Sequence, residues 1–288
     1  MPPRIRATIA HSPDADDAFM FYALSQGKVP TGKYEVSHLL NDIETLNRSA
    51  EKGTYECTAI SYHQYPYVAR DYAMTCSGGS FGEGYGPVVV SRNDLSKSDL
   101  LKTVVAIPGE RTSATLALRL CLPGVKTLPM PFDKVQQAVA AGEVEAGVII
   151  HEGQLSFGDD RLRGVLDLGD WWKAETGLPL PLGGNAVRKD LGWVAMAELG
   201  LLIRETVAYA LAHREEALTH ALSFARGLDR GRADRFVGMY VNDRTLDLGA
   251  DGKKSVQLFL DRAYDAKLIP ARPLVEFVET ATALRKWP

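Results

Sequence analysis

The sequence predicts an α/β protein of two lobes with a ligand cleft between them. Its length of 288 residues is about that of two ordinary domains, enough for each lobe to bury a core. Short apolar runs alternate with stretches of helical periodicity, the pattern of βα units and mostly parallel sheets. Two extended pieces, Val88–Ser91 and residues 183–187, serve as crossings that let the C-terminal helices pack back on the first lobe. The expected parse is therefore discontinuous, with residues 1–90 and 188–288 in the larger lobe and 91–187 in the smaller.

The elements follow in order. Residues 5–10 read as a strand and 16–25 as a helix, with Gly27 just past its end. A second strand covers 36–40, and Asn41 with Glu44 three residues on suggests a capping box. Residues 57–60 form a third strand, and Ser61 opens a helix to about residue 69. The glycine-rich run at 77–87 lacks the Lys-Ser/Thr of a phosphate loop and leads into an extended run. It reads as a flexible connection. In the second block, 103–107 is a strand, 112–122 a helix, and Asp133 caps a helix that Gly142 ends. Residues 146–150 form a buried strand with His151 directly after it. The remainder is largely helical. Leu199, Ile203, Val207 and Leu211 give one helix an apolar core-facing stripe, and a break at His213 precedes the next helix.

Composition narrows the function. A formal net charge of -3 with no dense Lys/Arg cluster argues against nucleic-acid binding. No run approaches the ~20 apolar residues of a membrane helix. No secretory signal pattern is present near the start, so the expected location is the cytoplasm. Cys57, Cys76 and Cys121 are widely spaced and match no zinc or redox motif. They are expected to be buried thiols.

In open α/β sheets, ligands bind beyond the carboxyl ends of the strands. Ser12, Ser61, the pair Thr112–Ser113 and His151 all fall at such ends. Ser12 and Ser61 belong to one lobe, the others to the second, so a cleft would gather them. Free N–H groups at the helix starts would favour a carboxylate or phosphate, and Arg111 could add charge. Simple helix capping explains the same Ser and Thr residues, and the two roles are compatible. An imidazole can accept a proton and later return it, so His151 suits a general base, with Glu152 as an orienting neighbour. A hydrogen-bonded structural histidine is the other reading. Of the remaining histidines, His63 alone lies near a proposed site. Asp14, Asp16 and Asp17 could bind Mg²⁺ with a phosphate, but first-turn helix electrostatics accounts for them without a metal. On that reading some of them point away from the cleft. No metal and no cofactor is expected.

The segment Ser-Pro-Asp-Ala-Asp-Asp-Ala-Phe-Met-Phe-Tyr-Ala-Leu at 12–24 resembles the first helix of the 1,4-dihydroxy-6-naphthoate synthase family, on the futalosine route to menaquinone. The resemblance continues at 42–47, 86–90, 142–152, 177–183 and 240–242, so it spans almost the whole chain. It implies a fold similar to type II periplasmic binding proteins. It implies a lyase that releases the dihydroxynaphthoate and a sugar-derived fragment from cyclic dehypoxanthine futalosine, without metal or redox cofactor. His151 becomes the proton acceptor; Ala59, Ile60 and Ser61 form one substrate-contact segment, and Thr112 and Ser113 the other. Two segments depart from the family pattern, at Asp14, Ala15 and Asp16 and at Ala59. The family's loop reads Ser-Pro-Cys-Pro-Asn-Asp rather than Ser-Pro-Asp-Ala-Asp-Asp, and a lysine is expected where Ala59 stands. Arg111 is a candidate substitute for that charge. The alternatives are a non-catalytic protein that binds a small carboxylate, against which the missing export signal counts, and a related chorismate dehydratase, which the motifs fit less well.

Overall fold

The computed structural model describes residues 4–225 and 228–280. Its strands are β1 (Ile5–His11), β2 (Tyr34–Leu40), β3 (Cys57–Ser61), β4 (Tyr72–Thr75), β5 (Ser80–Gly82), β6 (Val88–Ser91), β7 (Val104–Ile107), β8 (Lys126–Pro129), β9 (Ala146–Ile149), β10 (Arg163–Asp167), β11 (Leu180–Arg188) and β12 (Phe277–Val278). They form two sheets. The first runs β12-β4-β11-β3-β1-β2, with β5 paired to β11; the second runs β10-β6-β9-β7-β8. All of the second sheet lies between Val88 and Asp167, whereas the first draws on both ends of the chain. The chain thus changes sheet before Val88 and again before Leu180.

Both sheets are mixed rather than mostly parallel. β1 lies parallel to β2 and β3, and β7 parallel to β8 and β9. The strands that carry the chain into a new sheet run the other way. β6 is antiparallel to β9 and β10, and β11 is antiparallel to β3, β4 and β5. A parallel neighbour needs a crossover connection, usually a helix, to bring the chain back to the same end. β6 and β11 each follow a strand of the other sheet, so no crossover within their own sheet sets their direction.

The apolar stripe on the long helix Trp193–Ala212 meets the first sheet's helices. Leu199, Ile203 and Val207 are buried, in one cluster with Phe19, Met20 and Phe236, while Leu211 is half-buried at the helix end. Fully burying each such side chain is worth about 1.5–3 kcal/mol. The helix stops at Ala212, and the next begins at Arg214, with His213 between. A second cluster around Tyr62, Tyr65, Trp172 and Phe259 reaches from the first sheet to Val105 and Ile107 of β7, so one core connects the two lobes.

Several local expectations are corrected. The 16–25 helix is two short helices, Ala15–Met20 and Tyr22–Ser25, broken at Phe21. The cap before helix Ile43–Ala50 is Asp42, not Asn41; its carboxylate accepts from the Thr45 N–H at 3.0 Å. Asp133 lies within the first turn of helix Phe132–Ala141, whose cap position is Pro131, and Gly142 ends that helix at φ 81°. The glycine-rich run is no loose connection. It contains β5, most of residues 77–82 are buried, and Gly82 and Gly86 are packed where a side chain would not fit. All three cysteines are buried free thiols.

Candidate active site

The carboxyl end of β3 and the residues that follow β1, β7 and β9 converge on one cavity. Ser12, Ala59, Ile60, Ser61, Thr112, Ser113 and His151 all line it, with Gly183 and Gly184 of β11. Two groups of residues at this cavity differ in chemistry.

The first group supplies hydrogen-bond donors. Asn47, fully buried on helix Ile43–Ala50, grips Ser61 twice. Its Oδ1 accepts from the Ser61 N–H at 2.8 Å and its Nδ2 donates to Ser61 Oγ at 3.1 Å. Ser61 Oγ therefore accepts within the protein and keeps its own hydrogen for a ligand. Ser113 Oγ is held similarly, accepting from the His63 N–H at 3.2 Å. Thr112 differs. Its hydroxyl donates to the Gly109 carbonyl at 3.1 Å and accepts from the Thr115 N–H at 3.3 Å, as the N-cap of helix Ser113–Cys121. Thr112 thus shapes the helix start, and the N–H groups of that first turn provide the attraction for an anion. The His63 ring lies 3.1 Å from the Thr112 carbonyl, and burial holds its pKa down at about 4. It is a neutral packing group.

Arg111 does not replace the expected lysine. Its guanidinium stacks 3.5 Å above the Tyr67 ring and lies 3.5 Å from Glu51, and it is not part of the cavity wall. No Lys or Arg lines the cavity among the described residues.

The second group is His151 with a run of carboxylates. His151 follows β9 in left-handed backbone geometry, φ 55°, an uncommon conformation for a residue with a side chain. Its Nδ1 lies 3.0 Å from Asp14 Oδ2, and its ring stands edge-on to Phe132 at 4.9 Å between centroids. Asp14, not Glu152, meets the imidazole. Glu152 is turned to the first lobe, where its Oε1 accepts from the Ala15 N–H at 3.1 Å. Asp17 accepts from the Ser12 N–H at 2.7 Å. Asp16 and Asp17 both line the cavity and Asp14 touches His151, so the acidic run turns toward the site rather than away from it.

This crowding perturbs the carboxyl groups. Burial, then the negative charges of Asp17, Asp14 and Glu152, pushes the Asp16 pKa well above the usual carboxylate range. Burial also raises Asp17 to about 6, against the lowering effect of its bond from Ser12. A proton on Asp16 relieves the repulsion. A divalent cation is the other means, since Asp14, Asp16 and His151 each offer one ligand atom within 4.8 Å of the others.

Sequence reasoning did not find Asn47, Gln154 or Tyr240 as parts of the site. Gln154 and Tyr240 line the cavity. The only sequence signal for Asn47 and Tyr240 was membership of the recurrent segments 42–47 and 240–242.

Comparison with known proteins identifies the family. A family model described as menaquinone biosynthesis matches residues 7–265. A 1,4-dihydroxy-6-naphthoate synthase of Thermus thermophilus is 40% identical over 268 residues, covering 92% of this chain and 97% of its own. A crystal structure of an Archaeoglobus fulgidus protein superposes with a TM-score of 0.88 at 45% identity, covering 92% of this chain and 98% of that one. The alkanesulfonate-binding protein SsuA of Xanthomonas axonopodis pv. citri shares the fold at a TM-score of 0.73 and only 14% identity, over 96% of this chain and 98% of its own. With its paired sheets, shared cavity and near-complete alignment, the chain belongs to the 1,4-dihydroxy-6-naphthoate synthase family, lyases of menaquinone biosynthesis built on the periplasmic-binding-protein fold.

Proposed function

We propose that this protein converts cyclic dehypoxanthine futalosine to 1,4-dihydroxy-6-naphthoate, with His151 as the general base. The observation that carries the reading is the placement of His151. It borders the same cavity as Ser61 and Ser113, at the start of helix Ser113–Cys121, and brings an imidazole and its neighbouring carboxylates to the wall they share. A substrate that carries both a carboxylate and hydroxyls fits these two groups of residues. The carboxylate lies against the N–H and hydroxyl donors of Ser61, Ser113 and the helix start. The sugar-derived part lies toward Asp16 and Asp17, whose oxygens suit hydroxyl groups.

The chemistry asks for removal of a proton from carbon while charge builds on an oxygen. His151 accepts the proton, and fixed donors around the cavity stabilise the oxygen. Loss of the sugar-derived fragment then completes an aromatic ring, which makes the step downhill. The Asp14–His151 and Ala15–Glu152 contacts bring the lobes together over the cavity, where they would exclude water.

The test is turnover of cyclic dehypoxanthine futalosine by the purified protein and by His151→Gln. Product from the native protein and a loss of at least about 10³-fold in kcat for the variant, which keeps its fold, is the expected result. A folded native protein that binds the substrate and never turns it over would leave a binding role. Full activity in His151→Gln would remove the base.

A further inference from the structure

We propose that Asp14 is the positioning residue of His151: it holds the ring as the Nδ1–H tautomer, so that Nε2 takes the substrate's proton. This rests on His151 being the base. Asp14 occupies the cap position of helix Ala15–Met20, with the extended backbone of an N-cap, φ -91° and ψ 160°. An aspartate there ordinarily accepts from an N–H of the first turn, a bond worth about 1 kcal/mol. Asp14 makes no such bond. Its carboxylate is turned instead to His151, 3.0 Å from Nδ1, at a position only 1% exposed. The local stabilisation has been given up for a contact with a residue on the other lobe.

The imidazole is prepared for that contact from its own side. Its backbone is left-handed, which swings the ring off the line of β9, and Phe132 packs edge-on against it. Glu152, the next residue, is anchored to the N–H of Ala15, the residue next to Asp14. Two adjacent pairs thus fix the segments in register. A carboxylate only accepts, so the ring nitrogen facing it carries the hydrogen. The remaining nitrogen, Nε2, has no hydrogen-bond partner and holds the free electron pair.

In the reaction the substrate's C–H bond breaks, and its electron pair stays with the carbon as an enolate. The proton forms a new N–H bond at Nε2. The ring becomes an imidazolium that Asp14 stabilises through Nδ1–H while itself staying unprotonated. No oxidant, reductant or metal enters the balance.

The experiment compares the native protein, Asp14→Asn, Asp14→Glu, His151→Gln and the Asp14→Asn/His151→Gln double variant. Steady-state kinetics on cyclic dehypoxanthine futalosine is measured across pH, with ¹⁵N NMR of labelled histidine in each folded protein. Asp14→Asn is expected to lower kcat on the order of 10²–10³-fold, with KM within about threefold because the substrate contacts are untouched. The acidic limb of its kcat/KM profile moves to lower pH, since the imidazolium has lost its counter-charge. The double variant is no worse than His151→Gln, as for groups acting as one unit. Asp14→Glu recovers part of the loss. In the native spectrum His151 carries its hydrogen on Nδ1, and Asp14→Asn loses that preference.

If Asp14→Asn keeps native kcat and tautomer while His151→Gln is inactive, the positioning role is overturned and the base stands. If His151→Gln is active, the base falls and this proposal with it. One tightly bound divalent cation per native chain that is lost in Asp14→Asn would make Asp14 a metal ligand, and also overturn it.

Discussion

The carboxylate of Glu152 accepts a hydrogen bond from the backbone N–H of Ala15 at 3.1 Å, although 137 residues separate the two in the chain. Glu152 follows β9 of the second sheet and Ala15 follows β1 of the first, so the bond ties one lobe to the other beside the cavity. Glu152→Ala leaves the Ala15 N–H without this acceptor and should cost about 1–3 kcal/mol of stability by urea unfolding. It should also lower kcat/KM about tenfold or more by loosening closure. Glu152→Gln retains an acceptor oxygen and should lose less of both. Equal stability in all three proteins would show that the tie carries no load.

Ser61 and Thr112 line the same cavity and should respond differently to loss of the hydroxyl. Ser61→Ala removes a donor reserved for ligand, so KM should rise by about five- to thirtyfold with a small loss of stability. In Thr112→Ala the main effect should be on unfolding, about 1 kcal/mol, because that hydroxyl is engaged in the helix cap. A larger rise of KM in Thr112→Ala than in Ser61→Ala would reverse the assignment.

Stability should depend on pH through groups of opposite sign. His11 and His63 have pKa values held down at about 4 by burial. Their contribution to stability is present above the unfolded value of about 6.5 and is lost as pH falls toward 4. Asp17 is raised to about 6. Its contribution is present below the unfolded value of about 3.9 and is lost as pH rises through 6. Urea midpoints measured from pH 4.5 to 7.5 should therefore fall less steeply on acidification in His63→Gln than in the native protein, and more steeply in Asp17→Asn. Parallel curves for the three would contradict these shifts.

Gly169 gives a test of packing at the junction of the sheets. A methyl group there would lie 1.9 Å from the Tyr85 carbonyl oxygen and 2.1 Å from its carbon. Backbone cannot move aside as a side chain can, so Gly169→Ala should cost about 3 kcal/mol or more. Gly158→Ala, where nothing lies within 4 Å, is the control that should change little.

The strand ends were readable because a buried apolar run announces where it stops. That is why Ser12, Ser61, Thr112, Ser113 and His151 could be named from the sequence, and they do border one cavity. The pairing of Asp14 with His151 had no such signal, since polar contacts between distant segments leave no periodicity. The orientation of Arg111 was hidden for a similar reason. The sequence shows its charge, but not the Tyr67 face and Glu51 carboxylate that occupy it. The antiparallel course of β6 and β11 was also missed, because direction in a sheet depends on the connections and is absent from the run of side chains itself. The break at Phe21 shows a helical pattern continuing in sequence where the backbone turns.

The second sheet is assembled from residues 88–167 alone, while the first pairs β4 with both β11 and β12 and so waits for residues 277–278. Domains generally form as units while the chain emerges from the ribosome. The lobe in the middle of the sequence can therefore settle first, on local pairings alone. Until the last strand and the long C-terminal helices arrive, the earlier part of the chain carries exposed strand edges. The newborn protein would be most exposed to misassembly in that interval, and a chaperone would have its work at the beginning of the chain rather than at the end.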